Sequence, residues 1–155
     1  MADQPLLVSA CLLGVRCNHL GTASPSAEVL ALAQTRRLIP VCPETVGGLP
    51  TPRPAAEVQR DGRVQTAGGT DVTDAYERGA AAAVTTARTA GVTMAVLKAR
   101  SPSCGSLQVY DGTFTSTLVD GEGVTAAALR RAGVVVISEE DLAAGGRRGP
   151  AGPDR

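Results

Sequence analysis

The sequence predicts an α/β fold: a single compact, Rossmann-like three-layer domain with a mainly parallel sheet of about four strands and a small hairpin. Three observations carry that expectation. Four short runs, LLVSA (6–10), LIPVC (38–42), VTMAVLK (92–98) and VVVIS (134–138), are apolar on both faces, as strands buried under helices on each side are. Segments of helical period separate them, which is the alternation that builds parallel sheets. The 155 residues are enough to bury one real core without disulfides.

Taken in order, LLVSA is the first strand, and SAEVLALAQTRR (26–37) reads as a helix with Ser26 as its N-cap, two residues before Glu28. LIPVC is the second strand. In EVQRDGRVQT (57–66) the Asp61-Gly62 pair sits between two alternating runs, the signal of a tight hairpin. Thr73 or Asp74 is placed to cap the long helix that follows. Along it Val72, Tyr76, Ala80, Ala83, Ala87 and Ala90 recur at helical spacing, and Gly91 stops it. VTMAVLK is the third strand, GVTAAALRRAG (123–133) a helix ended by Gly133, and VVVIS the fourth strand. Residues 1–144 are expected to form the domain, and GGRRGPAGPDR (145–155) reads as a disordered, solvated tail.

Composition narrows the partners. Lys plus Arg and Asp plus Glu number 15 each, so no net field draws nucleic acid or an anionic membrane. Tyr76, Tyr110 and Phe114 are the aromatic residues, too few for a stacking platform. No apolar run approaches the length of a membrane span, and MADQPLLVSACLLG has no charged region before its apolar stretch. The expectation is a cytoplasmic protein that handles a small molecule, with no membrane partner and no strong nucleic-acid signal. In a reducing compartment its four cysteines are ligands, catalysts or packing rather than a disulfide framework.

Placed on the strands, the cysteines converge. Cys11 directly follows the first strand, Cys42 ends the second, and Cys104 lies seven residues beyond Leu97 in the loop after the third. Cys17, in CLLGVRC, belongs to the same first loop. One such cysteine would read as packing; three or four at one sheet edge, where α/β sheets bind ligands, read as a site. The spacings are not those of zinc, which favours C-x-x-C pairs and often histidine, and His19 is the one histidine. A dispersed, histidine-free set suits an iron–sulfur cluster. Three thiolates on a four-iron cluster leave one iron open, a Lewis acid. A thioredoxin-like site is disfavoured, since no C-x-x-C pair exists.

The residues beside the cysteines extend the site. VCPETVGGLPTPRP (41–54) puts Glu44 two residues after Cys42, a carboxylate suited to acid–base work, and Gly47-Gly48 permit a close backbone approach. Ser101 and Ser103 flank Cys104, and either hydroxyl could face a ligand. Lys98, Arg100 and Arg53 lie on the same loops and could meet an anionic group. YDGTF (110–114) and GEGVT (121–125) read as glycine loops, and the second opens a helix whose amides could bind phosphate, a weak signal on its own.

VSACLLGVRC, PVCPETVGGLPTPRPAAE, LKARSPSCGS, YDGTF, GEGVTAAALRRAG and VISEE, in this order from Leu6 to Glu140, resemble the bacterial thiouracil desulfidase (TudS-like) family. The resemblance implies a compact α/β domain holding a [4Fe-4S] cluster on three cysteines. It implies non-redox desulfuration of a thiolated uracil, 4-thiouracil, 2-thiouracil or 4-thio-UMP, to uracil or UMP plus sulfide, with the open iron taking the substrate sulfur. Carried over by motif, the ligands are Cys11, Cys42 and Cys104, which follow three different strands, with Cys17 in reserve. Glu44 becomes the proton carrier, Ser101 the orienting or proton-sharing hydroxyl, and Ser103 the second choice. Lys98 and Arg53 are the candidates for substrate binding. In CNHLG (17–21) the chain departs from the family, with His19 and Leu20 where relatives carry a tyrosine and a polar residue. The competing reading is a metal- or cluster-binding sensor or sulfur-handling protein without hydrolytic turnover.

Overall fold

The computed structural model describes residues 4–144, so the predicted tail lies outside the described residues. The chain begins with β1 (Leu6–Ser9), a 3-10 turn (Ala10–Leu13), α1 (Ala27–Leu32), β2 (Leu38–Val41) and the one-turn helix α2 (Pro43–Val46). A hairpin of β3 (Ala56–Val58) and β4 (Val64–Thr66) follows, then α3 (Thr73–Ala90) and β5 (Met94–Leu97). A second hairpin, β6 (Gln108–Tyr110) with β7 (Leu118–Asp120), precedes α4 (Val124–Arg131), β8 (Val135–Ser138) and α5 (Glu139–Ala143).

The four predicted strands are β1, β2, β5 and β8, all parallel, in the order β2-β1-β5-β8. Because successive side chains on a strand point to opposite faces, both faces of this sheet must be apolar. Leu6 and Val8 pack with Val29, Leu32 and Leu142 on the side of α1 and α5. Leu7 and Leu97 pack with Ala83, Ala87 and Leu129 on the side of α3 and α4. The chain passes from β1 to β2 on one side and later to β5 on the other, so strand order reverses at β1. A crevice opens there, at the carboxyl ends of β1 and β5. Among the described residues no helix is long and apolar enough to cross a membrane.

Local expectations fare unevenly. Ser26 does cap α1, its Oγ accepting from the Val29 amide at 3.2 Å, and Gly91 ends α3 in the left-handed region at φ 71°. The Asp61-Gly62 hairpin forms, but its register pairs Val58 with Val64 and leaves 59–63 in a wider connection than a two-residue turn. Neither Thr73 nor Asp74 caps α3: Val72 holds the N-cap position, and the Thr73 hydroxyl instead accepts from the Val64 amide at 2.9 Å, tying α3 to β4. YDGTF runs from β6 into the turn of a second hairpin, and GEGVT follows it; short-range signals did not reveal this hairpin because β6 and β7 are three residues each. Buried Glu57 of β3 reaches across to it and accepts from the Gly112 and Phe114 amides, each at 3.0 Å.

The buried face of α3 is wider than the predicted stripe. Tyr76, Ala80, Ala83 and Ala87 are buried as expected, and Ala75 and Gly79 join them because α2 covers that side. The cover is at backbone contact. A Cβ at Gly79 would stand 1.9 Å from the Pro43 carbonyl oxygen, and one at Gly47 would stand 2.0 Å from that of Ala75. Gly47 therefore makes the close approach that its sequence neighbourhood suggested.

The contact reverses an ordinary preference. Alanine is favoured over glycine in a helix by about 1 kcal/mol, yet Gly79→Ala should destabilise the protein by about 3 kcal/mol, because a methyl group cannot share space with a carbonyl. Gly68→Ala, whose new Cβ would meet nothing closer than the Thr66 hydroxyl at 3.9 Å, should stay within about 0.5 kcal/mol of the wild type when both variants are unfolded in urea.

Candidate active site

Strand ends supply the site. β1 delivers Cys11 through the turn that follows it, β2 delivers Cys42 and, through α2, Glu44, and β5 delivers Lys98 and the loop that carries Ser101 and Cys104. Cys17 returns to the same place from the first loop. These residues line a cleft of about 640 Å³, its open mouth included, at the carboxyl edge where strand order reverses. All four cysteines are brought together there as free thiols. Glu44, Arg53, Lys98 and Ser101 join them, and so do Asn18 and His19 of the departing CNHLG segment.

The thiols differ in how readily they ionise. Burial pushes Cys104 up to about 12 and Cys11 up to about 11, the latter partly offset by the Lys98 ammonium. Cys17 and Cys42 behave as a pair. As a thiol Cys42 donates to the Cys17 carbonyl at 3.6 Å; as a thiolate it accepts from the Cys17 thiol and from Thr45. The shared proton holds Cys42 below the usual thiol range and Cys17 well above it. Thiols buried this way ionise when a cation arrives, so the chemistry of the donor set is that of a metal site whose loading releases protons.

The arrangement also speaks to the kind of metal group. A single tetrahedral zinc needs its ligands within about 2.3 Å of one point. Among the described residues no three Cys, His, Asp or Glu side chains gather that closely. Thiolates that line one cleft without meeting at a point suit a cluster, in which each takes a different iron.

Glu44 is held from two sides. Its Oε2 accepts from the Tyr76 hydroxyl at 2.8 Å and from Arg53 Nε at 3.1 Å, and neither bond falls on Oε1. The Arg53 guanidinium makes three further bonds to protein: Nη1 donates to the Pro50 carbonyl and the Thr51 hydroxyl, and Nη2 to the Cys17 carbonyl at 2.8 Å. Arg53 thus binds the Glu44 helix to the Cys17 loop, and it also lines the cleft in which the sequence suggested a partner for an anionic group. Lys98 lines the cleft with its ammonium 3.3 Å from Glu139 Oε2. Arg100 pairs with Glu140 and does not line the cleft.

The serines separate cleanly. Ser101 Oγ accepts from the amides of Ser103 at 3.1 Å and Cys104 at 3.0 Å, which fills both lone pairs and leaves its proton for donation. Ser103 is 0 % exposed, shares a 2.8 Å hydrogen bond with Thr125, and is not part of the cleft lining. The helix that GEGVT opens does not offer its amides to phosphate. Gly123, Val124, Thr125 and Ala126 donate to the carbonyls of Gly105, Pro102 and Ser103 at 2.8–3.1 Å, so α4 is docked on the SPSCG loop instead.

Sequence reasoning missed Tyr76 and Glu139. Tyr76 was legible as an apolar member of the α3 stripe, and the signal for more was its hydroxyl, a group that needs a partner when buried. Glu139 stands in VISEE, directly after the fourth strand and so at the same sheet edge as the cysteines.

Comparisons with known proteins bear on the family and the fold. A family model described as 2-thiouracil desulfurase matches residues 6–141. The chain is 39% identical over 146 residues to the uncharacterized protein YbbK of Bacillus subtilis (strain 168), with 88% of this chain and 97% of that one covered. A solved structure described as the [4Fe-4S]-dependent thiouracil desulfidase TudS matches with a TM-score of 0.85 at 43% identity, over 92% of this chain and 95% of that one. Matched along most of its length in sequence and in backbone, the chain belongs to the 2-thiouracil desulfurase family.

Proposed function

We propose that this protein converts a thiolated uracil and water to the oxo-pyrimidine and sulfide, with Cys11, Cys42 and Cys104 holding a [4Fe-4S] cluster. The observation that carries the reading is the convergence, in one cleft, of three cysteines from three strand ends with a carboxylate and a donor hydroxyl. The TudS likeness supports the same cofactor. Bound on three thiolates, such a cluster supplies an iron with an open position, a Lewis acid toward the substrate's sulfur.

The residues of the chain do the remaining work. Glu44 takes a proton from the attacking water at Oε1 and returns it to the departing sulfur, so no electron is gained or lost overall. Ser101, restricted to donation, hydrogen-bonds an acceptor on the pyrimidine and fixes the ring against rotation. Lys98 stands beside Cys11, and its charge favours the thiolate form of that ligand. Cys17 stays a thiol and serves as a hydrogen-bond partner of Cys42 rather than a ligand. Apolar wall residues, with Val41, Pro43 and Ala56 among them, limit water around the reacting carbon.

Cluster content, turnover and stability test this. After anaerobic reconstitution the wild type should carry about four irons and four labile sulfides per chain and release sulfide from 4-thiouracil. Cys11→Ala, Cys42→Ala and Cys104→Ala should each lose the cluster while Cys17→Ala retains it; an iron-free wild type would overturn the reading. Ser101→Ala should lower kcat/KM by about 100-fold with iron content intact. Ser103→Ala should cost about 1–2 kcal/mol of stability by leaving Thr125 unpaired, with kcat/KM within about twofold of wild type.

A further inference from the structure

We propose that Tyr76 is a positioning residue for the desulfuration step, fixing which oxygen of Glu44 meets the cleft. The inference rests on the reading of Glu44 as proton carrier and adds to it a residue from a different element, α3. A glutamate side chain ends in a torsion that is broad and roughly two-fold, so a carboxylate with one anchor presents either oxygen. Glu44 sits on a helix of one turn, which does little to restrict it. Two donors from separate parts of the fold meet on one oxygen: the Tyr76 hydroxyl at 2.8 Å and Arg53 Nε at 3.1 Å, both on Oε2. With Oε2 doubly bound, Oε1 is the oxygen left to exchange protons with water and sulfur.

Tyr76 is itself immobile. It is 2 % exposed, and its ring packs with Ala56 and Val64 of the β3–β4 hairpin, with Leu49, Val58 and Val72 around them. The hairpin, which contributes no ligand, thereby acquires a role: it clamps the ring that aims the carboxylate. The α2–α3 backbone contact at Gly79 keeps the hydroxyl and the carboxylate in register, since Pro43, the residue before Glu44, is the one that touches it. Arg53 cannot do this alone, because its fork also holds the Cys17 loop and its single Nε bond leaves the carboxylate free to pivot about Oε2.

The experiment deletes the hydroxyl and keeps the ring. In reconstituted holoenzyme, Tyr76→Phe should lower kcat for 4-thiouracil by about tenfold with KM within about twofold, and with iron content and urea midpoint near wild type. In a Glu44→Gln background the same change should cost nothing further in residual turnover, since the two residues act as a unit. A second readout needs no turnover. The chain has two tyrosines, so in Tyr110→Phe protein the ultraviolet resonance Raman doublet belongs to Tyr76 alone. It should report a hydroxyl donating to a carboxylate and shift in Glu44→Gln. Unchanged kcat in Tyr76→Phe, an equal loss in both backgrounds, or a doublet indifferent to Glu44→Gln overturns the proposal while an active wild type leaves the desulfidase reading standing. A fully loaded wild type inert toward thiouracils overturns both.

Discussion

The Pro43 carbonyl of α2 lies where a side chain at residue 79 would have to be, and the Ala75 carbonyl of α3 lies where one at residue 47 would be. Two glycines therefore let a one-turn helix rest on an eighteen-residue one at backbone distance. The rest of the site follows from that contact. It sets the height of Cys42 at the N-terminus of α2, aims Glu44 at the Tyr76 hydroxyl, and brings Arg53 within reach of both Glu44 and the Cys17 carbonyl. Few side chains mediate the contact, so little slack separates a movement of α3 from a movement of the carboxylate.

A second docking fixes the opposite wall. The first amides of α4 close on the carbonyls of the SPSCG loop, and Ser103 anchors that loop to Thr125 from beneath. The loop's own amides bind the Ser101 hydroxyl. A helix N-terminus, which in many α/β proteins receives a ligand's phosphate, here holds the loop that presents a thiol. The cysteine and the serine next to it are thus positioned by backbone hydrogen bonds, which do not depend on side-chain rotamers.

Charge is balanced around the thiols before any metal group enters. Arg53 faces Glu44 and Lys98 faces Glu139, with side chains between 4 and 15 % exposed. Ion pairs this shielded contribute little net stability, because desolvation offsets their attraction. Their effect is on geometry and on the thiols: the Lys98 charge lowers the cost of ionising Cys11, and the Arg53 fork joins the two segments that carry Cys17 and Cys42. Among the described residues no buried side-chain nitrogen or oxygen lacks a partner.

By itself the sequence determined the layers and the edge. Runs such as LLVSA and VTMAVLK are apolar at every position because both faces of their sheet are covered, and that pattern is local, so it can be read residue by residue. The convergence of Cys11, Cys42 and Cys104 followed from the same reading, since residues just past parallel strands share an edge. Tertiary structure alone decided what each neighbour does. Ser101 and Ser103 are two residues apart and chemically identical; one faces the cleft because the other is drawn under α4, a helix twenty residues later. Arg53 gained a tie to the Cys17 carbonyl, Tyr76 turned from a core ring into a donor, and the short β6–β7 pair from loops into a hairpin held by Glu57. In each case the partner is distant in sequence, and hydrogen-bond partners across such distances leave no periodicity to read.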